Sequence, residues 1–315
     1  MSHSSAIILS CSGTKLTDDE KRFFASANPL GFILFARNCE DHDQIRKLNH
    51  DLRDCVGWDC PILIDQEGGR VQRLKPPVWQ QYMPANACNT SDEAAGVARF
   101  IGHDLAELNI DVNCAPVMDL LLEETHNVIG DRAFSDNPDD IFEKAYAVCN
   151  AYLECGVTPV AKHIPGHGRA TSDSHLELPV VDTPLEELEQ TDFLPFQKLG
   201  QSNIVHQVWG MVAHIKYPAL SALPATISKE AIEYIRGTMN IDQFLIADDI
   251  SMKALEEYGN LADRARKTLE SGCDTTLYCS GLLTEMESIM ADIPAMSDQS
   301  FERYERSRIR RRSAA

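Results

Sequence analysis

Short apolar and β-branched runs recur along the chain and predict eight β-strands. Most of these runs are almost continuously apolar and do not alternate with polar residues. This pattern is typical of strands that are buried on both faces of a parallel sheet. The predicted strands cover residues 6–11, 31–36, 61–66, 111–116, 157–163, 210–215, 244–249 and 274–279.

Segments with helical periodicity lie between the predicted strands. In residues 91–108 the apolar side chains fall on one helix face, and Ser91 is expected to cap the first turn. A second helix is predicted in residues 139–156, ending at Gly156. Strands that alternate with helices in this way predict an α/β fold, a (β/α)8 TIM-type barrel. A doubly wound open sheet is the alternative.

The chain shows no linker and no low-complexity tract, so we expect a single domain that spans residues 1–315. Residues 300–315 are polar and basic, and we expect them to form a frayed tail. The pattern does not fix the oligomeric state, and a monomer is the working expectation.

Composition narrows the classes of partner and compartment. A formal net charge of −19 repels phosphate, which argues against nucleic acid and against an anionic membrane surface. The apolar run Ala6–Leu9 is too short for a signal peptide or a membrane span. The ten cysteines include no C-x-x-C pair, which favours reduced, buried thiols in a cytoplasmic protein.

Polar side chains end five of the predicted strands. A carboxylate or imidazole at the end of a buried strand is costly unless it is paired or lies in a solvated cleft. Because the carboxyl ends of barrel strands meet at one face, we expect one shared polar pocket there. The strand-end groups are Asp65 to Glu67, Pro116 to Asp119, Lys162 with His163, His214, and Asp248 with Asp249.

The stretch "KHIPGHGRATSDSH", residues 162–175, allows three interpretations. A metal site could use His163, His167 and His175, but the proline and glycines between them disfavour the helix that would align two rings. A phosphate-binding loop would need the P-loop spacing, which is absent. In the third interpretation Asp173 orients His175 for proton transfer, on a loop that its glycines allow to swing.

Four motifs together give the chain a family resemblance. "LIDQEGGRVQRL", "NVIGDRAF", "KHIPGHG" followed by "DSH", and "IADDISM" resemble family-3 glycoside hydrolases. Within that family they are most similar to the single-domain bacterial β-N-acetylglucosaminidases of peptidoglycan recycling. The resemblance covers roughly residues 5–285 in the family's order, and it also implies a barrel.

The resemblance implies a role for each matching residue. Asp248 corresponds to the catalytic nucleophile, His175 to the acid/base, and Asp173 to the partner of His175. Glu67 and Arg70 are interpreted as structural support, Asp249 as orienting the nucleophile's loop, and His167 as shaping its loop. The residues that correspond to the sugar-binding set are Asp65, Arg73, Arg132, Lys162 and His163.

The expected activity is that of a retaining exo-β-N-acetylglucosaminidase with a small carbohydrate substrate, a muropeptide such as GlcNAc-1,6-anhydroMurNAc. No metal and no cofactor is expected. The alternatives are a β-glycoside phosphorylase that uses the same residues, a metal-dependent amidohydrolase built on the three histidines, and a sugar-binding barrel without activity.

Overall fold

The computed structural model describes residues 4–122, 128–170, 172–174 and 176–308, which contain ten strands and ten α-helices. The strands are β1 (Ser5–Leu9), β2 (Pro29–Leu34), β3 (Ile62–Ile64), β4 (Gln66–Gly68), β5 (Val71–Gln72), β6 (Val112–Asn113), β7 (Thr158–Ile164), β8 (Trp209–Val212), β9 (Leu245–Asp249) and β10 (Thr275–Leu277). The helices are α1 (Asp18–Ala27), α2 (His42–Val56), α3 (Ser91–Glu107), α4 (Pro138–Glu154), α5 (Leu185–Gln190), α6 (Leu194–Gly200), α7 (Lys229–Gly237), α8 (Leu261–Ser271), α9 (Leu283–Met290) and α10 (Asp298–Ser307).

Eight of the strands close into a parallel barrel in the order β1-β2-β3-β6-β7-β8-β9-β10, with β10 paired back to β1. Each of these strands overlaps one of the eight predicted runs, so the prediction of a (β/α)8 barrel is confirmed. The remaining two strands, β4 and β5, form an antiparallel hairpin directly after β3. That hairpin was not predicted.

The barrel explains why the strand sequences are almost continuously apolar. At least one side chain from each strand contributes to an interior cluster, while many of the neighbouring strand residues pack in the layer that contains the helices. Both faces are therefore buried. The interior contributions are Ile8, Ile33, Leu63, Val112, Val160, Met211, Ile246 and Leu277.

The two predicted helices form, with one correction at a cap. Helix α3 begins at Ser91, but the N-cap is Thr90, whose hydroxyl accepts the Glu93 N–H at 3.2 Å. Ser91 itself is therefore the first helical residue. Helix α4 ends at Glu154, and Gly156 follows in the left-handed region at φ 78°, as expected for a glycine after a helix.

Residues 298–307 correct the expectation of a frayed tail from residue 300. They form α10, and its Tyr304 packs against Trp209 and Phe244 with ring centres 6.0 and 5.8 Å apart. Tyr304 is buried because it covers the amino-terminal end of the barrel strands. The remaining part of the expected tail, residues 309–315, lies outside the described residues.

All ten cysteines carry free thiols, and six of them are buried. In the described ranges, we find no helix that combines the length and the apolar character needed to cross a bilayer.

We predict that Asp274→Asn lowers the free energy of unfolding by about 3 kcal/mol, because removing one charge of a buried ion pair leaves the other charge buried without its partner. The buried Asp274 carboxylate accepts hydrogen bonds from Arg236 at 2.8 Å, from Arg303 at 3.0 Å and from the Leu245 N–H at 2.8 Å. It therefore joins α7, α10 and β9. Chemical denaturation measures the loss.

The matched control is Glu270→Gln, which breaks an exposed pair with Arg266 on α8. An exposed pair is screened by solvent and contributes little, so this variant should unfold almost like the parent. Equal losses in the two variants would contradict the structural role given to Asp274.

Candidate active site

A cavity of about 410 Å³ opens at the carboxyl ends of the barrel strands, where the sequence predicts the polar pocket. It brings together seven of the eight residues that the sequence singles out. These are Asp65, Arg73, Arg132, Lys162, His163, Asp173 and Asp248. The eighth, His175, lies outside the described residues. The shared cavity is a structural finding, while the chemical role of each residue stays a prediction.

Lys162 lies at the centre of a buried charge network. Its ammonium group donates to Asp65 Oδ1 at 2.9 Å and lies 2.6 Å from Glu67 Oε1, and its side chain is only 3% exposed. Burial lowers the pKa of Lys162, but the two carboxylates raise it by more, so the net pKa lies above the ordinary value. Lys162 therefore stays charged inside the barrel mouth.

Glu67 links two cations. It accepts two hydrogen bonds from Arg132, at 2.8 Å to Nε and 2.9 Å to Nη2, while its Oε1 also contacts Lys162. Burial raises the pKa of Glu67, but Arg132 and Lys162 outweigh burial and bring it to about 2. Because the pKa of Glu67 is lower in the folded than in the unfolded protein, its ionised carboxylate stabilises the fold. This contribution to the free energy of unfolding is complete above the unfolded pKa of about 4.3 and is lost as the pH falls towards 2.

The hairpin β4–β5 brings Arg73 back beside the end of β3. Its guanidinium Nη2 lies 3.1 Å from Asp65 Oδ2, and Cζ lies 5.2 Å from the centre of the Phe35 ring. Burial raises the pKa of Asp65, but Lys162 and Arg73 together lower it well below its usual range. Gly68 makes the turn possible, because it has φ 96° and an added Cβ would lie 2.4 Å from a backbone oxygen.

Asp119 fixes the loop that follows β7. Its fully buried carboxylate lies 2.6 Å from His163 Nδ1 and accepts the His167 N–H at 2.6 Å. Burial raises the pKa of Asp119, but His163 and these hydrogen bonds lower it by more, so the group is a carboxylate. His163 Nδ1 therefore carries a proton, which leaves Nε2 as the ring atom for a ligand.

Asp248 and Asp249, the last two residues of β9, have different surroundings. The Asp249 N–H donates to Asp248 Oδ1 at 2.8 Å. The Asp249 carboxylate instead accepts from Ser251 Oγ at 2.6 Å and from the Cys279 N–H at 3.2 Å. Burial raises the pKa of Asp249, although the bonds from Ser251 partly oppose this. Asp249 thus holds the chain around Asp248, which matches the interpretation given to it.

The glycines of "PGHG" serve close packing. A Cβ on Gly168 would lie 2.7 Å from Leu120, and one on Gly166 would lie 2.9 Å from the Asp192 carbonyl oxygen. Gly166 also has φ 151°. In the structure, glycine is required at these positions because there is no space for a side chain, whereas the sequence suggested that glycine allows the loop to move.

Metal binding was one interpretation of the three histidines. Among the described residues, which exclude His175, no group of three or more histidine, cysteine, aspartate or glutamate side chains is arranged to hold a metal ion. In its described part, the cavity wall presents ion pairs and hydrogen-bonding groups.

Sequence reasoning gave no role to Asp119 and interpreted Glu67 only as structural support. Both residues were recognised as strand-end carboxylates, and this was the available signal. Their partners follow only from the folded structure, because Asp119 bonds with residues 44 and 48 positions away and Glu67 with Arg132, 65 positions away.

Comparison with known proteins identifies the family. The family model described as "Glycosyl hydrolase family 3 N terminal domain" matches residues 7–306, which extends beyond the motif-based limit near residue 285. The chain is 34% identical over 283 residues to the beta-hexosaminidase of Alkalilimnicola ehrlichii, covering 87% of this chain and 80% of the relative. It is 32% identical over 308 residues to the beta-hexosaminidase of Idiomarina loihiensis, covering 95% and 91%.

Solved structures agree with this result. NagZ from Neisseria gonorrhoeae, in complex with N-trifluoroacetyl-D-glucosamine, superposes with a TM-score of 0.87 at 27% identity, covering 98% of this chain and 90% of that one. A family 3 β-N-acetylglucosaminidase from Paenibacillus sp. gives a TM-score of 0.85 at 28% identity, and this chain, covered over 96%, spans 59% of its length. The chain therefore belongs to glycosyl hydrolase family 3 and is a glycoside hydrolase of the beta-hexosaminidase type.

Proposed function

We propose that the protein is a retaining exo-β-N-acetylglucosaminidase that removes non-reducing N-acetylglucosamine from peptidoglycan-derived muropeptides such as GlcNAc-1,6-anhydroMurNAc. The observation that carries the proposal is the shared cavity, in which Asp248 and Asp173 lie with the charge network around Lys162. The neisserial relative holds an N-acylated glucosamine analogue, which supports a ligand of this class.

The charge network suits a sugar ring. Asp65 offers carboxylate oxygens to hydroxyl groups, and Lys162 and Arg73 offer charged donors, which make hydrogen bonds stronger than neutral ones. Ion pairs hold these side chains in place, at 2.9 Å for Lys162–Asp65 and 3.1 Å for Arg73–Asp65. Little side-chain ordering is therefore required when the sugar binds.

The chemistry proceeds in two steps. In the first, an Asp248 carboxylate oxygen attacks C1 while the glycosidic C–O bond breaks, and His175 gives its proton to the departing oxygen. In the second, His175 takes a proton from water, whose oxygen attacks C1 and releases Asp248 together with N-acetylglucosamine. Two inversions at C1 retain the β configuration. Asp173 is assigned to stabilise the imidazolium form of His175.

The first prediction concerns substrate choice. An aryl N-acetyl-β-glucosaminide should be hydrolysed at least about 100-fold faster, as kcat/KM, than the matching β-glucoside, a difference of about 2.7 kcal/mol in transition-state binding. The muropeptide disaccharide should release N-acetylglucosamine from its non-reducing end. Release of N-acetylglucosamine 1-phosphate when phosphate is supplied would identify a phosphorylase instead.

The second prediction identifies the nucleophile. A slow 5-fluoro-N-acetylglucosaminyl fluoride should add one sugar to the wild-type protein, detectable by mass spectrometry of the intact chain. Asp248→Asn should abolish this labelling and nearly all turnover, because an amide cannot form the ester. The control is Asp249→Asn at the adjacent position, which should still be labelled. Labelling that persists in Asp248→Asn would exclude Asp248 as the nucleophile.

The third prediction concerns proton transfer. His175→Ala should slow substrates with poor leaving groups by about 100-fold or more, but should slow an activated aryl glycoside far less, because that leaving group needs little protonation. Asp173→Asn should show the same pattern to a smaller extent. Equal losses across a series of aryl leaving groups would contradict the acid role of His175.

A further inference from the structure

Ser174, the residue between Asp173 and His175, is held from two sides. Its hydroxyl oxygen lies 3.3 Å from His167 Nε2, and its carbonyl oxygen accepts the Ala254 N–H at 3.2 Å. The residue is only 3% exposed. A serine in a loop is usually solvated, so this burial indicates a structural or functional requirement.

His167 is itself fixed in place. Its main-chain N–H donates to Asp119 at 2.6 Å, and its ring packs edge-on against His163 with centroids 5.5 Å apart. The imidazole is 3% exposed, and burial together with His163 lowers its pKa to about 4, so it is neutral at neutral pH. In the described part of the chain its Nδ1 has no hydrogen-bond partner, which leaves Ser174 as the partner of the ring.

Ala254 anchors Ser174 to the other side of the cavity. It belongs to the helical turn Lys253–Tyr258, which follows β9 and therefore Asp248. Met252, two residues earlier, lines the cavity. Ser174 thus joins His167, at the start of the loop after β7, to the turn that follows the proposed nucleophile.

We propose that Ser174 and His167 are positioning residues for proton transfer, whose contacts hold Ser174, the residue before His175 in the chain, against the start of the loop after β7 and the turn after β9. The inference rests on the proposed function, because it assigns to this bond the placement of the acid/base residue. Neither side chain needs to touch the sugar.

The size of the effect follows from the strength of one hydrogen bond. A net contribution of about 1–1.5 kcal/mol corresponds to roughly a tenfold change in the population of the aligned segment. The loss should fall on substrates that need a proton. The sugar contacts made by Lys162 and Asp65 do not involve this bond and should be unaffected.

The test measures the dependence of kcat/KM on the leaving group. With a series of aryl N-acetyl-β-glucosaminides, Ser174→Ala should steepen the plot of log kcat/KM against the pKa of the phenol, and should cost about tenfold for the poorest leaving group. Inhibition by N-acetylglucosamine should change less than about twofold, because binding is preserved. The control is Ser172→Ala in the same loop, whose slope should equal that of the wild type.

A double-variant comparison separates this bond from general disruption. His167→Phe keeps a packed ring but removes the ring nitrogen. Its plot of log kcat/KM against the pKa of the phenol should have the same slope as that of Ser174→Ala. The double variant should be no more than about twofold worse than either single variant, because both remove one interaction. Additive losses, or an Ser174→Ala slope equal to that of the wild type, would overturn the inference. If His167→Phe does not fold, the Ser174→Ala and Ser172→Ala slopes decide alone.

His175→Ala separates this inference from the function on which it rests. If the slope of the leaving-group plot is unchanged in His175→Ala, then His175 is not the acid, and the positioning role of Ser174 is overturned as well. A steep slope in His175→Ala with a wild-type slope in Ser174→Ala would overturn only the positioning role.

Discussion

The ion pairs around Lys162 impose the strongest constraint on this active site. Burying an isolated charge is prohibitively costly, so each cation at the barrel mouth requires a carboxylate in contact with it. Lys162 on β7 reaches Asp65 at the end of β3, two places away around the barrel, across the short strand β6. Glu67 then joins Lys162 to Arg132. The network therefore fixes the separation of the strand ends and contributes to the shape of the cavity.

Two further carboxylates, those of Asp119 and Asp249, accept hydrogen bonds from the backbone around the cavity. Asp119 accepts main-chain N–H groups from His163 on β7 and from His167 in the loop after it, and Asp249 accepts those of Ser251 and Cys279. These hydrogen bonds keep Asp248 and His163 at defined places. The site thus separates groups that are available to a ligand from groups that hold the loops, a division that favours preorganised binding.

Much of the barrel could be predicted from the sequence because burial on both strand faces leaves a distinct pattern. The strand-end position of Asp65, Lys162 and Asp248 then places them in one cavity by geometry alone. The family motifs supplied the assigned roles, which composition and spacing would not have distinguished.

Other features depended on contacts that a linear pattern does not contain. The role of Glu67 requires the turn at Gly68 and a partner on a distant loop. Helix α10 is polar on most of its surface, so the burial of Tyr304 against the barrel is not evident from its sequence. Gly166 and Gly168 show a further limit of prediction from sequence. Glycine is required both in a flexible loop and where two segments of the backbone approach closely, so its presence does not distinguish the two.

We propose that the ion-pair network around Lys162 forms the sugar site, and a substitution of Glu67 tests this most directly. Titration calorimetry of N-acetylglucosamine, with Glu67→Gln shown to be folded, gives the dissociation constant without involving catalysis. The account predicts an increase of at least about tenfold, or 1.4 kcal/mol, because Lys162 and Arg132 lose their shared carboxylate. Glu154→Gln, which breaks only an exposed pair with Arg99, should bind like the wild type. An unchanged dissociation constant in folded Glu67→Gln would contradict the account.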